Sequence, residues 1–146
     1  MRSLMLAGLL VIAASCTTHG GAYIPPPTRV IAGMTAEQVR DQLVTRCASR
    51  GFNVASADPA HIICDREAGI IASALLQTGV GPAPRIQFHA VTAQMVDGVQ
   101  VTGWQQLQAY TWTGAVSGTE RGMNATQRAE VEMVLADLQP ITPNAP

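Results

Sequence analysis

The stretch that decides the fold is Met95-Val96-Asp97-Gly98-Val99-Gln100. An Asp-Gly pair between two β-rich runs is typical of a two-residue hairpin turn, because Asp and Gly tolerate the backbone angles that its two central positions need. A turn centred on Asp97 and Gly98 would also fix how the two strands pair. It predicts that Val91 lies opposite Trp104.

The same turn separates the two faces of the hairpin, because successive side chains of a strand point to opposite sides. One face is apolar at its 86–88 end and should pack on helices. The other face is polar apart from four large side chains, which form a candidate partner surface: Val91, Trp104, Tyr110 and Trp112. Tyr and Trp dominate interface hot spots, whereas a loop folded over them would make a second small core, and both interpretations stay open. His89 lies on this face opposite Gln106, where we expect a surface histidine.

Two capped helices flank the β-rich region. Thr35 and Gln38 form a capping box before a helix predicted over 36–50, and Gly51 is placed to end it. Its predicted buried face repeats every four residues: Val39, Leu43 and Cys47. The second helix begins with a box of Asn124 and Gln127. Its apolar stripe is Val131, Val134, Leu135 and Leu138.

Two further β-rich runs, 52–56 and 61–66, surround a turn and predict another hairpin. The element order is therefore α-β-β-β-β-α. It predicts an α+β fold in which a four-stranded antiparallel sheet carries two helices on one face. Residues 68–84 are apolar and then rich in Gly and Pro, and they form either a loop over their own core or an exposed loop that binds a partner or contacts a membrane.

The amino terminus has the pattern of an export signal. Arg2 precedes an apolar run of residues 4–14, which is too short to cross a bilayer as a helix and ends in small residues. We therefore expect 1–15 to be a signal peptide. Cleavage after Ser15 by ordinary signal peptidase would leave a soluble periplasmic protein with a free terminal cysteine.

The stretch Ala13-Ala14-Ser15-Cys16 resembles the lipobox of bacterial lipoproteins, although Ala13 stands where that motif usually has Leu. The resemblance implies that Cys16 becomes the mature terminus and carries acyl chains, which together anchor a protein stably. A residue other than Asp at position 17 implies the outer membrane, with the domain facing the periplasm.

Three cysteines leave one over once a pair is formed. If Cys16 carries lipid, Cys47 and Cys64 remain, and an oxidising compartment favours a disulfide between them. The alternative is two reduced cysteines buried as small apolar side chains.

The boundaries follow from these assignments. We expect a lipidated flexible tether over 16–33, a single domain over 34–139 and a disordered tail over 140–146. The chain has no lysine, and the mature part has eight Arg against ten acidic residues. This composition provides no basic stripe for nucleic acid.

No residue pattern predicts catalysis. The sequence lacks a Gly-rich phosphate loop and the common hydrolase motifs, so we expect no enzyme, cofactor or metal site. The mature chain resembles small lipoproteins of Gram-negative bacteria that have no assigned activity. Gly33-Met34-Thr35-x-x-Gln38-Val39 further resembles the start of the small lipoprotein of the outer-membrane β-barrel assembly machinery.

Two functions therefore stay open. The first is a membrane-anchored binding or assembly accessory that meets an envelope protein. The second is a periplasmic small-ligand binder, or an enzyme with a cryptic site, that uses a pocket near 68–84.

Overall fold

The computed structural model describes residues 24–69, 82–111, 113–119 and 123–140. The helices are α1 (Ala36–Ser49) and α2 (Ala125–Ala136). The strands are β1 (Thr28–Ala32), β2 (Asn53–Asp58), β3 (His61–Glu67), β4 (Arg85–Met95), β5 (Gly98–Tyr110) and β6 (Val116–Thr119). Five of them form one antiparallel path in the order β1-β5-β4-β3-β2, and β6 pairs with the far end of β5.

The α+β class is as predicted, and the described helices and sheet enclose one core. Its members come from both helices and from the sheet face beneath them, and they include Val39, Leu43, Ile62, Phe88, Val101, Val131 and Leu135. The expected buried stripes are confirmed within both helices, and the predicted Leu138 is buried but lies just beyond the end of α2. Within the described ranges, no helix has the length and apolar character needed to cross a membrane.

The prediction of a four-stranded sheet is wrong, because β1 precedes α1 and the short β6 precedes α2. Residues 28–32, which the sequence pattern places in a flexible tether, form β1 at the edge of β5. Ile31 lies opposite Val99 and is buried, and the Arg29 guanidinium donates to the backbone oxygen of Leu135 (2.9 Å). This strand was missed because it is short, follows three prolines and acquires its partners only through pairing with a distant segment.

The helix ends are built as the sequence predicts. The side chain of Thr35 accepts from the backbone N–H of Gln38, and the Gln38 side chain accepts from the N–H of Thr35. At the other end of α1, Gly51 has φ +76°, and the N–H of Phe52 donates to the carbonyl of Cys47 (3.0 Å). This is the Schellman ending, which turns the chain sharply and brings the residue after the glycine back onto the helix.

The pairing of β4 with β5 differs from the prediction by two residues. Met95 lies opposite Gly98, so the turn residues are Val96 and Asp97. A turn centred on Asp97 and Gly98 needs positive φ at both residues, and no described residue other than glycine has positive φ. Gly98 instead belongs to β5, where an added Cβ would fall on the carbonyl oxygen of Ile31 in β1. The glycine therefore allows the close approach of β1.

A shift of two residues keeps every side chain on its predicted face, since strand side chains alternate with a period of two. It does change the partners. Trp104 lies opposite His89, and Val91 lies opposite Thr102. The predicted direct pair of Val91 and Trp104 is therefore wrong.

The disulfide prediction is confirmed. Cys47 of α1 and Cys64 of β3 are bonded, with an S–S distance of 2.05 Å and Cα atoms 6.2 Å apart. Both residues are buried. The bond fixes the last turn of α1 against the sheet and excludes the alternative of two reduced cysteines.

Candidate functional site

The candidate partner surface lies on the sheet face opposite α1 and α2, and we call it the helix-free face because neither of these described helices packs on it. Three of its four predicted residues are described. Val91 is 39% exposed, Trp104 is half-buried, and half-buried Tyr110 donates from its hydroxyl to Gln108 Oε1 (2.9 Å). Trp112 and the predicted lipid site Cys16 lie outside the described residues. Tyr110 stands at the opposite end of the strand from the turn, so it does not adjoin Val91.

Three flat rings form the centre of the helix-free face. Trp104 stacks on His89 with ring centroids 5.0 Å apart and planes within 4°. His61 of β3 extends the stack, with its ring centroid 5.4 Å from that of His89 and 6.1 Å from that of Trp104. The three residues come from three neighbouring strands, so their contact depends on the pairing of the whole sheet.

A chain of hydrogen bonds determines which ring nitrogens of the two histidines donate and which accept. Gln87 Oε1 accepts from His89 Nε2 (3.2 Å), as well as from the amide groups of Gln106 and Gln108. Because an amide oxygen only accepts, His89 Nε2 carries the proton and Nδ1 of the neutral ring has a lone pair. That lone pair faces His61 Nε2 at 3.2 Å, so His61 donates to it.

His89 is only 7% exposed. Burial, with a smaller contribution from the neighbouring His61, lowers the pKa of His89 to about 4. The expected surface histidine opposite Gln106 is therefore wrong, because the shifted register places the ring under Trp104. Both nitrogens of the neutral ring are already engaged. The arrangement builds a rigid aromatic platform and leaves no free lone pair on His89 for base catalysis.

Exposed apolar side chains cluster on the helix-free face near the β4–β5 turn. Val30 of β1 and Ala93 of β4 flank Gln100 of β5 in one cross-strand row. The neighbouring rows add Val91 and Met95, and Val96 in the turn is fully exposed. We call Val30, Val91, Ala93, Met95 and Val96 the hairpin patch. The sequence could not identify Val30 as a member, since its place depends on β1.

A second candidate site lies on the other side of the sheet. A cavity of about 260 Å³ opens between the end of α1 and the middle of α2. Its walls include Phe52, Arg66, Phe88, Gln105, Glu130 and Val134. Most of the segment beside which the sequence predicts a pocket, 68–84, lies outside the described residues. Arg66 of this cavity precedes that segment by two residues.

The described residues offer no metal site, since none of their His, Cys, Asp and Glu side chains form a group of three that could hold an ion. His61 and Cys64 lie on opposite faces of β3, as their spacing predicts, and Cys64 is bonded to Cys47. Comparison of the chain with protein families and with curated proteins finds no match.

Proposed function

We propose that this protein is a lipoprotein of the bacterial cell envelope, anchored through Cys16, that binds a protein partner with its helix-free face and performs no catalysis. The observation that carries the proposal is the hairpin patch beside the stacked rings of Trp104, His89 and His61. Exposed apolar side chains that are contiguous and rimmed by polar groups mark interaction surfaces.

The composition of the helix-free face supports a protein partner. Large amphipathic rings contribute binding energy when a partner buries them, because they combine apolar area with a polar atom. Trp104 is held in place by its stack on His89 and is still partly exposed. A side chain that is already ordered loses little conformational entropy when a partner binds it.

The chain between the proposed anchor at Cys16 and the folded domain is long enough for the helix-free face to meet a partner near the membrane. The chain from position 16 to position 28 spans about 40 Å when fully extended. A lipid on Cys16 would therefore hold the domain within that distance of the membrane surface. The domain could therefore reach partners that lie in the same membrane or in the periplasm next to its surface.

Two measurements test the anchor. Intact-mass analysis of the mature protein should show Cys16 as the terminus with acyl chains added, and the protein should fractionate with membranes. Cys16→Ser should release it to the soluble fraction. An unmodified Cys16, or wild-type protein that is fully soluble, contradicts the anchor.

Site-specific photocrosslinking in intact cells tests the face. A photoreactive amino acid at Val91 should give one discrete adduct whose protein component mass spectrometry identifies. The matched control is Met133 on α2, which is also apolar and is 51% exposed. The proposal is contradicted when Val91 gives no adduct or when Met133 gives the same one.

A specific observation favours a second candidate function, the binding of a small ligand. The cavity between α1 and α2 is open to solvent, and its lining includes two aromatic rings and three charged side chains.

A further inference from the structure

The cavity between the helices carries two charged groups whose usual partners are missing among the described residues. The Arg66 guanidinium lies 4.5 Å above the centroid of the Phe52 ring, and no described carboxylate lies within ion-pair distance of it. Glu130 Oε2 accepts from Gln105 Nε2 (3.0 Å). No described cationic group pairs with Glu130 either. One positive and one negative group therefore line the same small space without pairing with each other.

Each charged side chain is held by a neighbour. The Schellman ending of α1 brings Phe52 back over the helix end, and the face of that ring supports the guanidinium through a cation–π contact. On the α2 side, Gln105 is only 5% exposed and directs its amide at Glu130. The third charged residue of the cavity, Arg50, is already paired with Asp137 (3.6 Å).

Between the charged groups the cavity is apolar. Phe88, Val134 and the disulfide residue Cys47 contribute to its lining. Its volume of about 260 Å³ is below the usual range for drug-sized ligands. The space therefore suits one small molecule with an apolar body.

We propose that this cavity binds a free α-amino acid with an apolar side chain. Its carboxylate would be held by Arg66, whose planar fork of donors fits a carboxylate. Its ammonium group would be held by Glu130, and its side chain would contact Phe52 and Phe88. The site lies on the opposite side of the sheet from the hairpin patch, so this proposal and the proposed function fail independently.

Ligand analogues test the proposal on the mature wild-type protein by titration calorimetry. L-Phenylalanine supplies both charges and the ring, N-acetyl-L-phenylalanine lacks the ammonium group, L-phenylalaninamide lacks the carboxylate, and glycine lacks the apolar body. Each omission should weaken binding about tenfold or more, because a charge-assisted hydrogen bond or a buried ring is lost. Absence of L-phenylalanine binding at 10 mM overturns the proposal, and so does equal binding of all four compounds.

Two variants assign the charges to residues. Arg66→Met should abolish the preference for L-phenylalanine over its amide and keep the preference over the N-acetyl compound. Glu130→Gln should abolish the preference for L-phenylalanine over the N-acetyl compound and keep the preference over the amide. Their matched controls are Arg40→Met and Glu132→Gln, which alter surface ion pairs away from the cavity and should keep both preferences. Retention of both preferences in the two cavity variants overturns the assignment.

Discussion

Trp104 lies flat on His89, with their ring planes within 4° and their centroids 5.0 Å apart. The two residues are directly opposed in β5 and β4, so the stack reports the register of this hairpin. Trp104 covers part of the imidazole, and burial, with a smaller contribution from the neighbouring His61, lowers the pKa of His89. In the proposed partner face, the partly exposed ring of Trp104 is therefore supported by the buried, neutral ring of His89.

Replacing Trp104 tests whether it belongs to an interface or to a core. Because the side chain is half-buried, Trp104→Ala should lower the free energy of unfolding by about 1.5–3 kcal/mol, which combines the lost stacking and the lost apolar burial. It should also remove the Val91 photocrosslink while the domain stays folded. Urea denaturation followed by circular dichroism measures the first effect.

Val91→Ala is the control for stability, since its side chain is 39% exposed. It should change the free energy of unfolding by less than about 1 kcal/mol. A loss of about 4 kcal/mol or more for Trp104→Ala would instead place this residue in a core, and the partner face would then need other residues.

The neutral His89 makes stability depend on pH. Its pKa is about 4 in the folded protein and about 6.5 when unfolded, so the unfolded chain binds the proton more tightly. As pH falls from about 6.5 to about 4, the free energy of unfolding should therefore decrease, by about 2–3 kcal/mol from this group. His89→Gln should lack this component, and the difference between the two pH profiles isolates it from the titration of carboxyl groups.

An NMR titration checks the physical cause. In the wild-type protein the ring of His89 should stay neutral down to about pH 4. Trp104→Ala should raise the pKa of His89 toward its ordinary value, because the ring regains contact with water. An unchanged pKa in that variant would mean that Trp104 does not cause the burial.

Local signals predicted the parts of this fold that local interactions determine. The capping boxes at Thr35 and Asn124, the turn at Gly51 and the buried stripes of both helices depend on residues a few positions apart. The disulfide followed from the placing of Cys47 on the buried face of α1. The faces of β4 and β5 were also predictable, since alternation does not depend on the exact partner.

Long-range pairing determined the rest. β1 is recognisable only from its place beside β5. Gly98 pairs with Ala32 of β1 and with Met95 of β4, so it is a strand residue and the turn consists of Val96 and Asp97. The stack of His61, His89 and Trp104 depends in turn on that register and on the pairing of β3. The cavity needs side chains from both helices and three strands, and no local motif places Arg66 near Glu130.

The Cys47–Cys64 bond should contribute substantially to stability. It closes a loop over a sequence separation of 17 residues, for which loss of unfolded-state entropy predicts about 3 kcal/mol. Cys47→Ala with Cys64→Ala should lower the free energy of unfolding by about this amount. Adding dithiothreitol should destabilise the wild type similarly and leave the double variant unchanged; an effect of the reductant on the double variant would contradict this explanation.

Gly98 should be intolerant of any side chain, because β1 lies directly against it. An added Cβ would fall on the carbonyl oxygen of Ile31 and lie 2.8 Å from the Cα of Ala32, and backbone atoms cannot rotate away as a side chain can. Gly98→Ala should therefore displace β1 and lower the free energy of unfolding by about 3 kcal/mol or more, as overpacking at a buried position does.

The matched control is Gly51→Ala, where φ is +76° but no atom lies within 4 Å of the added Cβ. Only the backbone penalty of about 1 kcal/mol therefore applies to this control. Chemical denaturation gives both values, and hydrogen exchange identifies the strand that is lost: the N–H of Gly33, which donates to the carbonyl of Asp97 at 3.1 Å, should exchange faster in Gly98→Ala than in Gly51→Ala. Equal costs for the two substitutions, with Gly33 protected in both, would show that β1 does not depend on the glycine at position 98.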